Sequence, residues 1–194
     1  PKDCKTFYTI PSKVNYVASS TRIATTFNDF GGLNYLLRGI LQYDYLWNEI
    51  RVKGGAYGGI AYCLEDGLLG CVSYRDPNLE KTLHVYSQVP KFLNDFDATD
   101  KVLTGYKIGA LSDLEPYIDN DSLGSENYIK YLTGQTQAVR QAMKDNLLTA
   151  TQETISNVGN LMDSKSSSNG SITVLGNITT IQDKTYFDSI EQLA

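Results

Sequence analysis

The feature that most constrains this chain is a change of hydrophobic period near residue 54. From about Gly32, the residues Leu33, Leu36, Leu37, Ile40, Leu41, Trp47 and Ile50 recur at helical spacing. Gly54 and Gly55 then stop the run, and Tyr57 opens a stretch suited to a strand. The pattern predicts the main core helix, ended by glycines and followed directly by a strand. It also sets one guanidinium, Arg51, on the last helical turn and one phenol, Tyr57, at the strand entry. Side chains placed in this way can converge on one ligand.

On the N-terminal side, residues 5–10 and 14–24 are rich in β-branched and aromatic residues and are separated by Pro11-Ser12, which reads as two strands. In the second, Val14, Tyr16 and Ala18 share one face. On the C-terminal side, residues 57–64 and 68–74 flank Glu65-Asp66-Gly67, an antiparallel hairpin signal. If Asp66-Gly67 is a two-residue turn, Cys63 faces Gly70 and Cys71 points to the opposite face. A bridge between Cys63 and Cys71 would need another register. With Cys4 they make an odd count of 3, too sparse for a disulfide scaffold, and free, buried thiols are expected.

Asp76-Pro77 reads as a helix N-cap followed by proline at the first helical position; that helix carries Leu79, Leu83 and Tyr86 before Pro90 interrupts or kinks it. A helix over 100–114 ends before Pro116, and Asn120-Asp121 begins a polar connection. Ser125 is placed to cap a short helix holding Tyr128, Ile129 and Leu132, and another passes through Val139, Met143 and Leu147. Thr149 and Gln152 fit a capping box for a long helix to about Met162. A Ser-rich loop over 164–170, a strand over 171–175 and a closing helix over 183–193 complete the reading. This order of elements predicts an α+β domain spanning 1–194, a mostly antiparallel sheet with helices packed largely on one face.

Charge and patterning narrow the function. The net charge of -5 and the lack of a dense Lys/Arg run argue against nucleic acid as partner. No apolar run approaches the roughly 20 residues that span a bilayer, and no charged start followed by an apolar core marks a signal peptide. With a start at Pro1, any targeting signal lies out of view. The sequons at Asn169 and Asn177 matter only in a secreted chain. A phosphate loop follows a strand and opens a helix, whereas the glycines at 54–59 do the reverse. His84 is the only histidine, without Cys or carboxylates at metal-ligand spacing, and no serine sits in a nucleophile elbow. Turn chemistry accounts for the acidic residues Glu65, Asp66, Asp119 and Asp121.

Two readings of Arg51 and Tyr57 remain open at this point. In one, Arg51 offsets the helix C-terminal dipole, worth about 0.3–1 kcal/mol, and Tyr57 packs at a strand end. In the other, a charged fork and a neutral phenol donor grip a peptide carbonyl that gains negative charge, each donor contributing about 2.7–4 kcal/mol.

The run Tyr45-Leu46-Trp47-Asn48-Glu49-Ile50-Arg51-Val52-Lys53-Gly54-Gly55-Ala56-Tyr57-Gly58, followed by Ser73-Tyr74-Arg75-Asp76-Pro77-Asn78, closely resembles the C-terminal domain of presequence-protease-type zinc metallopeptidases. These are a branch of the pitrilysin and insulin-degrading-enzyme superfamily. The similarity extends to Ile10-Pro11-Ser12-Lys13-Val14-Asn15-Tyr16-Val17, Ile108-Gly109-Ala110-Leu111-Ser112-Asp113-Leu114 and Tyr131-Leu132-Thr133-Gly134-Gln135-Thr136, so that essentially the whole chain is covered. One departure is Leu114-Glu115-Pro116, where an aspartate is expected before the proline.

The resemblance implies a large intracellular enzyme of four related domains in two halves that close around a peptide chamber. Its compartment would be the cytoplasm in a bacterium and the mitochondrial matrix or another organelle in a eukaryote. Zinc would be held by a His-x-x-Glu-His motif and a distant Glu in the N-terminal catalytic half, and this chain would bind no metal. By the same resemblance Tyr57 donates to the carbonyl oxygen at the cleavage site and Arg51 holds substrate backbone, while the segment alone is inactive. Alternatives are a non-catalytic peptide-binding or scaffold relative and a free-standing small-molecule binder. Tyr128 and Tyr131 are assigned to an interdomain contact or to core packing.

Overall fold

A computed structural model describes residues 4–23, 31–64, 66–166 and 170–193. In chain order it contains β1 (Lys5–Thr9), β2 (Asn15–Arg22), α1 (Leu33–Ile40) with its wider continuation Leu41–Val52, β3 (Gly58–Cys63) and β4 (Leu68–Asp76). There follow α2 (Glu80–Ser87), α3 (Val89–Asn94), α4 (Asp100–Leu114), α5 (Asn120–Leu132), α6 (Gln137–Thr149) and α7 (Gln152–Ser166). The last elements are β5 (Gly170–Gly176), the 3-10 turns Ile178–Thr180 and Lys184–Tyr186, and β6 (Ser189–Gln192). None of the helices among the described residues is long and apolar enough to cross a membrane.

The strands form one sheet in the order β3-β4-β2-β5-β1-β6. The α+β class is as expected, but the sheet is mixed rather than mostly antiparallel, because β1 runs parallel to both β5 and β6. Its other pairings are antiparallel. Side-chain alternation explains why the helices cover one face. Phe7, Val17, Ala61, Cys63, Leu69, Cys71 and Val174 are buried and share a core with Leu36, Leu37, Ile40, Leu41, Leu46 and Ile50 of the main helix. On the opposite face Tyr8, Tyr16, Val72 and Leu175 are half-buried, and Ile60 and Tyr74 are exposed.

Several local expectations are corrected. Beyond Ile40 the helix widens: the Lys53 amide donates to the Asn48 carbonyl, five residues back, at 2.9 Å. After Leu41 the inward position therefore falls on Leu46 and then Ile50, so Trp47 leaves the core and is 42% exposed. The hairpin closes at Leu64 and Leu68 around a longer turn in which Gly67 takes φ 79°. That pairs Cys63 with Leu69 and Cys71 with Ala61, and both thiols face the core. They are free and buried, and burial pushes the Cys71 thiol up to about 12.

Asp76 does not cap a helix at Pro77. It ends β4, fully buried, with its carboxylate accepting from the Asn78 amide at 2.8 Å and the Thr82 hydroxyl at 2.6 Å. The helix starts at Glu80 instead. In α5, which begins at Asn120 rather than near Ser125, no residue is buried. Tyr128, Ile129, Tyr131 and Leu132 stand exposed, which removes core packing as their role. The capping box of α7 is Thr151 with Thr154, each hydroxyl accepting the other's amide at 3.0–3.2 Å, not Thr149 with Gln152. Gln152 instead accepts from the Ala98 amide. α7 runs on to Ser166, into the expected loop, and residues 167–169 lie outside the described ones.

The closing helix over 183–193 is absent. Asp183 caps a 3-10 turn through the Thr185 amide, Phe187 is buried beside Phe7, and Ser189–Gln192 pairs with β1. Parallel pairing with β1, a contact far away in sequence, decides this segment over its local pattern.

Candidate functional site

The junction between the main helix and β3 is fixed by contacts that leave little freedom. A Cβ on Gly54 would lie 2.5 Å from the Ile50 carbonyl oxygen, and Gly55 adopts φ 77°, so both positions require glycine. The Gly55 amide donates to the Arg51 carbonyl and the Ala56 amide to the Ile50 carbonyl, at 3.0 and 3.1 Å. From the far side the Asn78 side-chain amide donates to the Gly54 carbonyl. Gly59 then lets β3 approach the helix, since a Cβ there would meet Ile50 Cβ at 3.0 Å.

The outer edge of β3 is also held. Gln42 donates from Nε2 to the Gly59 carbonyl at 2.6 Å and accepts the Ala61 amide on Oε1 at 2.9 Å. Asn34, buried in α1, donates to the Cys63 carbonyl at 3.4 Å. Side-chain amides thus stand where a neighbouring strand would stand. Neither residue drew notice from the sequence. Polar residues interrupting a leucine-rich run were the available signal, because buried amides need partners.

Above this rigid backbone the two singled-out side chains are uncommitted. Arg51 is exposed and its Cζ lies 4.3 Å from the centroid of the Trp47 ring. Glu49, the nearest acid on the helix, pairs with Lys53 at 2.6 Å instead. Tyr57 is 67% exposed, and its ring meets Tyr74 edge-on at 5.8 Å, which in turn meets Tyr16 at 5.4 Å. The Tyr57 amide is anchored on the Tyr74 carbonyl at 3.2 Å. Among the described residues no carboxylate pairs with Arg51, and the Tyr57 hydroxyl has no hydrogen-bond partner. The structure therefore sets Arg51 and Tyr57 on one junction without bonding them to each other.

Chemically, the junction can donate hydrogen bonds and supply positive charge, while the carboxylates beside it are engaged, Glu49 with Lys53 and Asp76 with Asn78 and Thr82. Among the described residues no group of three His, Cys, Asp or Glu side chains is placed to hold a metal. His84 is exposed on α2, and both buried thiols are held protonated by burial, unlike the thiolates that bind metal. The described residues do not fit zinc.

Several known proteins are similar to this chain. The family profile described as PreP C-terminal domain matches residues 5–181. Among curated proteins, "Protein HypA" of Clostridium perfringens is 36% identical over 181 residues, 93% of this chain and 18% of that protein. "Presequence protease 1, chloroplastic/mitochondrial" of Arabidopsis thaliana is 36% identical over 141 residues, 72% of this chain and 13% of that protein. The chain thus spans less than a fifth of the length of either relative. In fold, it is similar to the inactive domain of a peptidase M16 from Pseudomonas fluorescens, with TM-score 0.68, 17% identity, and 91% of this chain and 44% of that one covered. It is also similar to pitrilysin, with TM-score 0.65, 10% identity, and 99% of this chain and 22% of that one covered.

Proposed function

From the premise that the chain belongs to the PreP C-terminal domain family, we propose that it is the substrate-binding C-terminal domain of a zinc metalloendopeptidase that degrades short unfolded peptides. It supplies Arg51 and Tyr57 to an active site whose metal is held elsewhere in the longer protein. The observation that carries this reading is the contrast at the junction: a backbone pinned by Gly54, Gly55, Asn78 and Gln42, bearing two exposed donors with no hydrogen-bond or ion-pair partner among the described residues.

In this reading Tyr57 donates its hydroxyl proton to the carbonyl oxygen of the scissile peptide bond, and the bond strengthens as that oxygen gains negative charge. Arg51 donates to a neighbouring backbone carbonyl and its fixed charge favours the same developing anion. The aromatic contacts from Trp47 and Tyr74 limit the rotamers each side chain must give up on binding. Closure of the catalytic N-terminal half over this junction excludes water and completes the site, so the domain alone is inactive. The compartment follows the host: cytoplasm in a bacterium, an organelle in a eukaryote.

The test is a double-mutant cycle in the full-length enzyme. Arg51→Ala and Tyr57→Phe each lower kcat/KM, and because both act on one developing charge their combined loss is smaller than the product of the separate losses. Full activity of the double variant rejects the reading.

A further inference from the structure

β4 leaves the sheet through a bulge. Its register with β2 passes from Val17 opposite Ser73 to Asn15 opposite Asp76, one residue longer on the β4 side. The residue that absorbs the difference is Arg75, with φ 51°. Among the described residues it is the only non-glycine in the left-handed region. Bulges of this kind ordinarily place glycine there, because a side chain crowds the following carbonyl.

Both neighbours hold Arg75 in that conformation. Asp76 is fully buried, its carboxylate bound by Asn78 and Thr82 and its carbonyl accepting from the Asn15 side chain at 3.2 Å. Tyr74 is wedged between the rings of Tyr16 and Tyr57. The strain brings no visible return within the domain. Arg75 is exposed, and no ion pair or hydrogen bond from its guanidinium occurs among the described residues.

Its position is the telling part. The Tyr74 carbonyl that accepts the Tyr57 amide is bonded covalently to the Arg75 nitrogen, so Arg75 sits on the same rim as Tyr57. In a chain of net charge -5, the backbone around this junction bears two arginines, Arg51 and Arg75, whose guanidiniums no described carboxylate neutralises. A planar fork of donors matches a carboxylate in two-point fashion. Strained residues persist where the side chain they carry has a task.

We propose that Arg75 is a specificity-determining substrate contact that binds a carboxylate of the peptide, either an acidic side chain or the C-terminus. The assignment rests on the reading of Arg51 and Tyr57 as substrate contacts. Glycine would be the easier residue at this bulge, and arginine stands there because it contributes binding rather than stability.

The test uses the full-length enzyme and four peptides: one with Glu near the cleavage site, its Gln counterpart, and a neutral peptide as free acid and as C-terminal amide. Arg75→Gly lowers the kcat/KM preference for Glu over Gln, or for acid over amide, by about tenfold or more, the range for losing a charge-assisted hydrogen bond. Which pair responds identifies the source of the carboxylate. The thermal midpoint stays level or rises, because glycine relieves the left-handed backbone. Arg75→Asn, whose neutral side chain tolerates that conformation, gives the same loss of preference, and Arg75→Lys retains part of it. Unchanged preferences in both pairs, or an equal loss on all four peptides, overturn the proposal. Near-normal turnover of Tyr57→Phe counts against the earlier reading alone, since the preference ratios still report on Arg75.

Discussion

At the corner where α4 meets α6, Arg140 and Lys144 both reach Glu115, at 2.5 and 2.9 Å. At the end of the main helix, Arg51 and Arg75 reach no carboxylate among the described residues, although Glu49 lies on the same helix. The first corner uses its cations to tie two helices together. The second leaves them facing solvent above a backbone whose Gly54 and Gly59 carbonyls and Gly55, Ala56, Tyr57 and Ala61 amides are all bonded. Comparable residues thus stand in opposite states, paired with a carboxylate at one corner and left without one on a well-bonded backbone at the other. The glutamate before Pro116, where the family resemblance calls for aspartate, has the reach to take both cations.

Glycine substitutions separate the two corners most strongly. Gly54→Ala forces a Cβ to 2.5 Å from the Ile50 carbonyl oxygen, and overpacking of this kind costs up to about 3 kcal/mol. Gly134, beside the α4–α6 corner, has φ 70° with nothing within 4 Å of a built Cβ, so Gly134→Ala costs only the left-handed strain, about 1 kcal/mol. Thermal unfolding of the intact protein reads both, and equal shifts would erase the claim that the junction is the stiffer of the two.

Next comes the edge of β3. Gln42→Leu strands the Gly59 carbonyl and the Ala61 amide, which costs about 1–3 kcal/mol, and it opens a strand edge to pairing with another copy. Light scattering should show concentration-dependent association. A monodisperse variant with an unchanged melting point contradicts the capping role.

Exchanging the arginines tests the comparison itself. Arg51→Ala is expected to lower kcat/KM about tenfold or more, the loss of one charge-assisted hydrogen bond, with little change in melting point. Arg140→Ala should do the reverse: unaltered kinetics and a stability loss of at most about 1 kcal/mol, since the pair is partly solvated. The smallest effect is that of pH on the corner. Hydrogen bonds from Lys144 and then Arg140 hold the Glu115 carboxyl below its ordinary 4.5. A depressed carboxyl stabilises the fold above its unfolded value, and that contribution fades as pH falls through the lowered one. Glu115→Gln should therefore flatten the melting-point profile below about pH 5, while Arg51→Ala leaves its shape intact.

What the sequence disclosed follows from the range of the forces involved. α4, ended before Pro116, and β5, with its β-branched residues, were legible because local chain geometry and propensity favour them. The glycines at 54 and 55 likewise announced the junction and drew attention to Arg51 and Tyr57. The widening of the main helix was not legible, since no local residue signals five-residue hydrogen bonding, and so Trp47 was read as core. The strand character of residues 189–192 depends on pairing with β1, far away in sequence. The same holds for Arg75, whose left-handed backbone is imposed by a register shift against β2. Tyr128 and Tyr131 carry a helical pattern that sequence alone cannot distinguish from core.

The central claim is that Tyr57 is a donor to the reacting carbonyl and not a surface aromatic that packs on Tyr74. Its most direct test is the turnover number of the full-length Tyr57→Phe enzyme at matched zinc content, because phenylalanine keeps the ring contact and removes only the hydroxyl. The account predicts a fall of about two orders of magnitude or more, the range for losing one oxyanion donor, at an unchanged melting point. Turnover close to that of the unaltered enzyme would contradict it.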